Sequence, residues 1–175
     1  MTSPEFSRTV KLDQIGAQAQ TTQLEANPVE RAALAKRFGL TALTRLTATL
    51  SYARKAATFD VTGKVQATYS QPCIATAVPV PGRMKESVAF RFVATIETAP
   101  DAEIELSDRD CDIIEHDGQA IDLGEAVAQS LGLSLDPYPR SVDADAVLRA
   151  AGVKAEGEVG ALAGLGALLG QAKKI

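Results

Sequence analysis

The stretch ATFDVTGKVQATYS, residues 57–70, decides the fold. Ala57, Phe59, Val61, Val65, Ala67 and Tyr69 alternate with Thr58, Asp60, Thr62, Lys64, Gln66 and Thr68. A period of two with one apolar and one polar row is the signature of a half-buried antiparallel strand. Gly63 interrupts the apolar row, where a bulge is expected. The pattern recurs on both sides. In RLTATLSY (45–52), Leu46, Ala48, Leu50 and Tyr52 share a face; in SVAFRFVATIE (87–97), Val88, Phe90, Phe92, Ala94 and Ile96 do. Between the runs, ARKA (53–56) is short enough to close a hairpin. PVPGRM (79–84) reads as a turn, with Pro79, Pro81 and Gly82 as breakers.

Helix grammar flanks this block. In NPVERAALAKRFGL (27–40), Asn27 can cap, Pro28 suits the first helical position and Glu30 lies three residues after the cap. Gly39 follows the last helical residue. In IDLGEAVAQSLGLSLDPYPR (121–140), Asp122 can accept from first-turn amides and Glu125 can reach back to complete a capping box. Leu123, Val127 and Leu131 fall on one helical face, Gly132 ends the helix, and Pro137 and Pro139 prevent its resumption. FSRTVKL (6–12) predicts a short strand, 13–26 a loop, 111–115 a strand, and 143–150 a further helix with Ser141 or Asp143 as its cap. The architecture expected is α+β: an antiparallel β-sheet, strongly curved or barrel-like at the extreme, with a few packed helices. Residues 1–155 are expected as a single domain, and 156–175 as a Gly/Ala/Leu-rich C-terminal tail or short helix.

Composition narrows the function classes. Hydrophobic residues at 46% can fill a core, whereas aromatics at 5%, with no Trp, are too few for a base-stacking platform. The N-terminus lacks the basic lead and apolar run of a secretory signal, and the apolar run 159–170 is shorter than a membrane span. A reduced, cytoplasmic protein is expected. Cys73, Cys111 and His116 are the chain's only thiol and imidazole side chains, and their spacing matches no metal motif. No nucleophile elbow, P-loop or dinucleotide fingerprint occurs. The carboxylates of 101–125 read as a solvated acidic face rather than an acid–base pair. No catalysis, cofactor or metal is therefore expected.

Charge is divided along the chain. Residues 1–95 carry 12 Lys and Arg against 6 Asp and Glu, while residues 96–175 carry 6 against 16. Arg45, Lys64 and Arg91 sit at polar positions of the strands; Arg54, Lys55, Arg83 and Lys85 sit in or beside turns. These seven are candidate contacts for a polyanion, against the simpler reading as ordinary surface cations. The acidic half can equally cover that surface or meet a basic partner.

VTGKVQATYSQPCIATAVPVPGRMKESVAFRF (61–92) and IDLGEAVAQSLGLSLDPYPR (121–140) resemble, in order, the two motifs of the YceD-like family, the large ribosomal RNA subunit accumulation proteins. Gly63, Val65, Ala67 and Cys73 match the first motif; Asp122, Leu123, Pro137 and Pro139 match the second. Many family members carry a second cysteine three residues after the first, where this chain has Thr76, so a cysteine pair does not carry over. The resemblance implies a non-enzymatic, cytoplasmic, bacterial role in 23S rRNA accumulation and large-subunit assembly. The expected partner is large-subunit rRNA or its ribonucleoprotein precursor, with a ribosomal protein as a further partner and no membrane. The alternative is a protein–protein adaptor that binds a basic ribosomal protein through the acidic C-terminal half, with Tyr138 and Arg140 as candidate partner contacts.

Overall fold

The computed structural model describes residues 4–95 and 112–154. The acidic run 96–111, with Ile96 and Cys111, and the expected tail 156–175 lie outside the described residues. The chain divides into two compact units, one from residues up to 71 together with 81–137, the other from 72–80 together with 138 onward.

In chain order the elements are β1 (Thr9–Lys11), a 3-10 turn (Leu12–Gln14), β2 (Gln20–Glu25), α1 (Pro28–Arg37), β3 (Ala42–Lys55), β4 (Thr58–Pro72), β5 (Pro79–Ala94), β6 (Asp112–His116), β7 (Ala120–Asp122), α2 (Leu123–Leu133) and α3 (Ala144–Ala150). The class is α+β. Five strands form one sheet in the order β2-β3-β4-β5-β6, and β1 pairs with β7 in a second, two-stranded sheet. The large sheet is mostly antiparallel but mixed, because β6 runs parallel to β5, with Phe92 beside Ile114. Its end strands do not pair with each other, so it is not closed into a barrel.

Alternation determines which side of the sheet is covered. Leu46, Leu50, Val61 and Val65 are fully buried, as are Leu34 of α1 and Val127 and Leu131 of α2. Each such aliphatic side chain contributes about 1.5–3 kcal/mol of burial free energy. Both helices therefore lie on the apolar side. Asn27 accepts from the Val29 and Glu30 amides while Glu30 accepts from the Asn27 amide at 2.7 Å, so the capping box of α1 is complete. Gly39 adopts φ +63°, the left-handed turn for which glycine has no side-chain penalty.

Several sequence expectations need correction. Residues 20–25, expected in a loop, form β2, which pairs with β3 from Gln20 opposite Tyr52 to Glu25 opposite Thr47. The strand expected over 6–12 is confined to Thr9–Lys11. The β3–β4 hairpin closes one step later than ARKA, between Lys55 and Thr58, with Ala56 at φ 56°. Gly63 sits in regular register opposite Leu50, and the register shift falls between Leu43 and Arg45. Glycine is required at 63 for another reason: a Cβ there would lie 2.2 Å from the Thr49 carbonyl oxygen.

PVPGRM is not a turn. It opens β5, and the chain reverses at 73–78 instead. Among the described residues β6 flanks only Phe90–Ala94, so the prolines occupy a stretch of β5 with a described strand on one side only. A missing amide is tolerated there. Gly82 is needed because a Cβ would come within 2.4 Å of the Tyr69 ring.

At the second helix, Asp122 is the cap, accepting from the Gly124 and Glu125 amides. Its carboxylate also accepts from the Arg8 amide at 2.8 Å and the Ser7 hydroxyl at 2.5 Å, joining α2 to the N-terminal segment. Glu125 does not close a capping box: the Arg37 guanidinium donates to both of its oxygens, at 2.8 and 2.9 Å. Gly132 does not end the helix, which runs on to Leu133; a Cβ at 132 would meet the Phe38 ring at 2.7 Å.

The second unit is described over 72–80 and 138–154. Cys73 donates its amide to the Val78 carbonyl, and Ile74 donates to Pro139. Asp143 precedes α3 without a side-chain cap bond.

Candidate nucleic-acid interface

The side of the sheet opposite α1 and α2 carries the polar row of each strand. β2 contributes Thr21, Gln23 and Glu25, and β3 contributes Arg45, Thr47, Thr49, Ser51, Ala53 and Lys55. Opposite them β4 places Thr68, Gln66, Lys64, Thr62, Asp60 and Thr58. Gly82 lies against the Tyr69 ring and the Arg91 guanidinium against Asp60, at 2.9 Å. β4 and β5 therefore run in opposite directions, which brings Arg83 near Thr68 and Lys85 near Gln66. Parallel strands would in any case need a crossover far longer than the link 73–78.

Six of the seven cations expected from sequence share this open face: Arg45, Lys55, Lys64, Arg83, Lys85 and Arg91. Arg54 does not. It stands opposite Phe59 on the covered side, its guanidinium 5.8 Å from that ring and its Nε donating to the Ala56 carbonyl. The step from 54 to 55 reverses side, which a description of both as turn residues could not show.

The six cations are not equivalent. Arg91 and Lys55 both pair with Asp60, at 2.9 and 3.7 Å. The hydrogen bond from Arg91 is the main cause holding the Asp60 carboxyl below its usual range. Arg45, Lys64, Arg83 and Lys85 are exposed and have no ion pair among the described residues. Among the described residues, counting Glu25, Asp60 and Glu115, the face sets six cations against three carboxylates. Its surface is gently hollowed. One depression of about 410 Å³ is lined by Gln23, Glu25, Arg45, Thr47, Thr49 and Gln66, with Leu24 and Ala48. A second, of about 420 Å³, is lined by Thr21, Ser51, Thr62 and Lys64 among others.

The other residues marked from sequence lie elsewhere. Val65, Ala67 and Leu123 are core side chains, and Asp122 is the cap of α2. Pro137 closes the first unit's second segment. In the second unit, Pro139 accepts from Ile74, Tyr138 is 73% exposed and Arg140 pairs with Asp145. Cys73 is 3% exposed and its sulfur accepts from the Ser141 amide at 3.3 Å. Its thiol pKa is lowered to about 6, first by the neighbouring Thr76 hydroxyl and then by that amide. The Thr76 hydroxyl is buried and has no hydrogen-bond partner of full geometry among the described residues. His116 belongs to the first unit, where Nδ1 accepts from the Gly118 amide at 3.0 Å and the ring meets Phe59 edge-on at 5.5 Å. Among the described residues no group of three or more His, Cys, Asp and Glu side chains is placed to hold a metal, and no helix is long and apolar enough to cross a membrane.

Together these features define an α+β protein with helices on one side of a mixed sheet and a cation- and hydroxyl-bearing face on the other. Residues 61–161 match the family of the large ribosomal RNA subunit accumulation protein YceD, and the chain belongs to that family. No curated protein and no solved structure matches it. The matched region includes Lys64, Arg83, Lys85 and Arg91 of the open face, while Arg45 and Lys55 precede it.

Proposed function

We propose that this chain supports accumulation of 23S rRNA and large-subunit assembly by binding, not catalysis. It acts in the cytoplasm and uses the open face of its sheet to hold large-subunit rRNA or the ribonucleoprotein precursor that contains it. The family supplies the process, and the segregation of cations supplies the means. Arg45, Lys64, Arg83 and Lys85 converge from three strands on one face with no ion pairs among the described residues. Phosphate contacts made this way release counterions and give affinity that depends steeply on salt. For four neutralised phosphates, affinity falls about 100-fold between roughly 50 and 200 mM salt.

The test is binding of the full chain to large-subunit rRNA fragments across a salt series. The variant R45E/K64E/R83E/K85E is expected to lose about tenfold or more at low salt and to flatten the salt slope by roughly one unit for each phosphate left unneutralised. Arg54→Glu, on the covered side, is expected to bind like the parent. If the fourfold variant binds normally, or if R54E alone abolishes binding while remaining folded, the interface is misplaced.

The adaptor reading rests on the acidic stretch 97–125, most of which lies outside the described residues. Of its described carboxylates, Asp122 is committed to the α2 cap and Glu125 to Arg37. Tyr138 and Arg140 remain candidate contacts for a protein partner, and nuclease-treated pull-downs test them.

A further inference from the structure

Resting on the RNA-binding reading above, we propose that the open face takes double-stranded, A-form RNA, gripping phosphates and 2′-hydroxyls instead of stacking unpaired bases. Single-stranded sites stack bases on exposed rings, whereas duplex RNA offers a wide, shallow minor groove edged by 2′-hydroxyls and phosphates.

The aromatic side chains of the first unit are all committed to the other side of the sheet or to the packing around the helices. Phe6, Phe59, Tyr69, Phe90 and Phe92 are buried, and Phe38 and Tyr52 pack partly buried against the same core. The polar rows of β2 to β5 contain no aromatic ring among the described residues. What they contain instead is Thr47, Thr49, Ser51 and Thr62, flanked by Gln23 and Gln66. Hydroxyls and carboxamides both donate and accept, as the ribose 2′-hydroxyl does.

The order of these groups across the face supports the same occupant. At one end stand Arg45, opposite Thr68, and Arg83 near them, with Lys85 and then Lys64 further in. At the other end stand Arg91 and Lys55 around Asp60. From Arg45 to Ala53, the residue opposite Asp60, is eight steps along β3, or about 26 Å at the usual strand rise. The middle of that span is Thr49, Ser51 and Thr62, with Thr49 directly opposite Lys64. Cations toward both ends, with Lys64 and the hydroxyls between them, suit a groove with a phosphate strand on each side. Alternate side chains standing on a pleated surface reach a shallow groove but cannot enter a deep one.

The experiment compares the full chain on three fluorescent probes of one sequence: a 20-base-pair RNA duplex, its single RNA strand and the matching DNA duplex. The RNA duplex is expected to bind about tenfold or more tightly than either alternative, because only it presents paired phosphate strands and 2′-hydroxyls together. The variant T49V/T62V keeps branched side chains while removing two hydroxyls. It is expected to reduce the preference for RNA over DNA duplex severalfold without altering the salt slope. A single strand bound as tightly as the duplex overturns this proposal and leaves the RNA-binding reading standing. Equal affinity for RNA and DNA duplexes also overturns it. Failure of every RNA probe removes both.

Discussion

Asp60 is the residue on which the strength of the open face turns. Its carboxylate holds two of the six cations, Arg91 and Lys55, that otherwise face outward. Asp60→Asn keeps the size of the side chain and removes the charge, so RNA affinity is expected to rise by about tenfold or less and the salt slope to steepen. Binding titrations at two salt concentrations check this; weaker binding would mean that Asp60 orders Arg91 for contact instead of competing for it.

Cys73 gives a separate residue-scale prediction. With its pKa lowered to about 6, the folded chain carries fewer protons at this site than the unfolded chain between that pH and the ordinary thiol range. Stability from this site is therefore fully present above the ordinary thiol pKa and is lost as pH falls through about 6. Thr76→Val removes the first cause and is expected to raise the titration, read as thiolate absorbance in a Cys111→Ser background. An unmoved midpoint would discount the hydroxyl.

At the scale of elements, α2 and β5 show how much was legible. The helix face Leu123, Val127 and Leu131 could be read from spacing alone, because helical periodicity and burial coincide there. Leu131→Ala is expected to cost about 2–5 kcal/mol and Asp122→Ala about 1–2 kcal/mol, measured by denaturant unfolding. A loss below about 1 kcal/mol for Leu131→Ala would contradict its place in the core. The destination of Glu125 was not legible: capping-box spacing is local, whereas Arg37, which takes its carboxylate, is distant in sequence. The same limit hid β2, whose polar residues announce no strand and are held by pairing with β3. Pro79, Pro81 and Gly82 misled for the opposite reason. They look like a turn, yet they open a strand, and Gly82 clears space for Tyr69. Gly82→Val is expected to lower the melting temperature by several degrees, consistent with an overpacking cost of about 1–3 kcal/mol. An unchanged melting temperature would place Tyr69 elsewhere.

For the whole molecule, net charge of −4 gives no hint of a nucleic-acid surface, because it averages a basic first half with an acidic second. Alternation along each strand could be read from sequence, and it correctly turned Arg45, Lys64 and Arg91 outward. What required the fold was the assembly of those rows, side by side, into one face, and the removal of Arg54 from it. The central claim is that this face meets large-subunit rRNA. Its most direct measurement is ultraviolet crosslinking of the tagged full chain in growing cells, with the crosslinked peptides and RNA sequenced together. Crosslinks from residues 45–51, 60–68 and 83–91 to large-subunit rRNA are the predicted result. Crosslinks confined to α1 and α2, or protein contacts with no RNA, would contradict it.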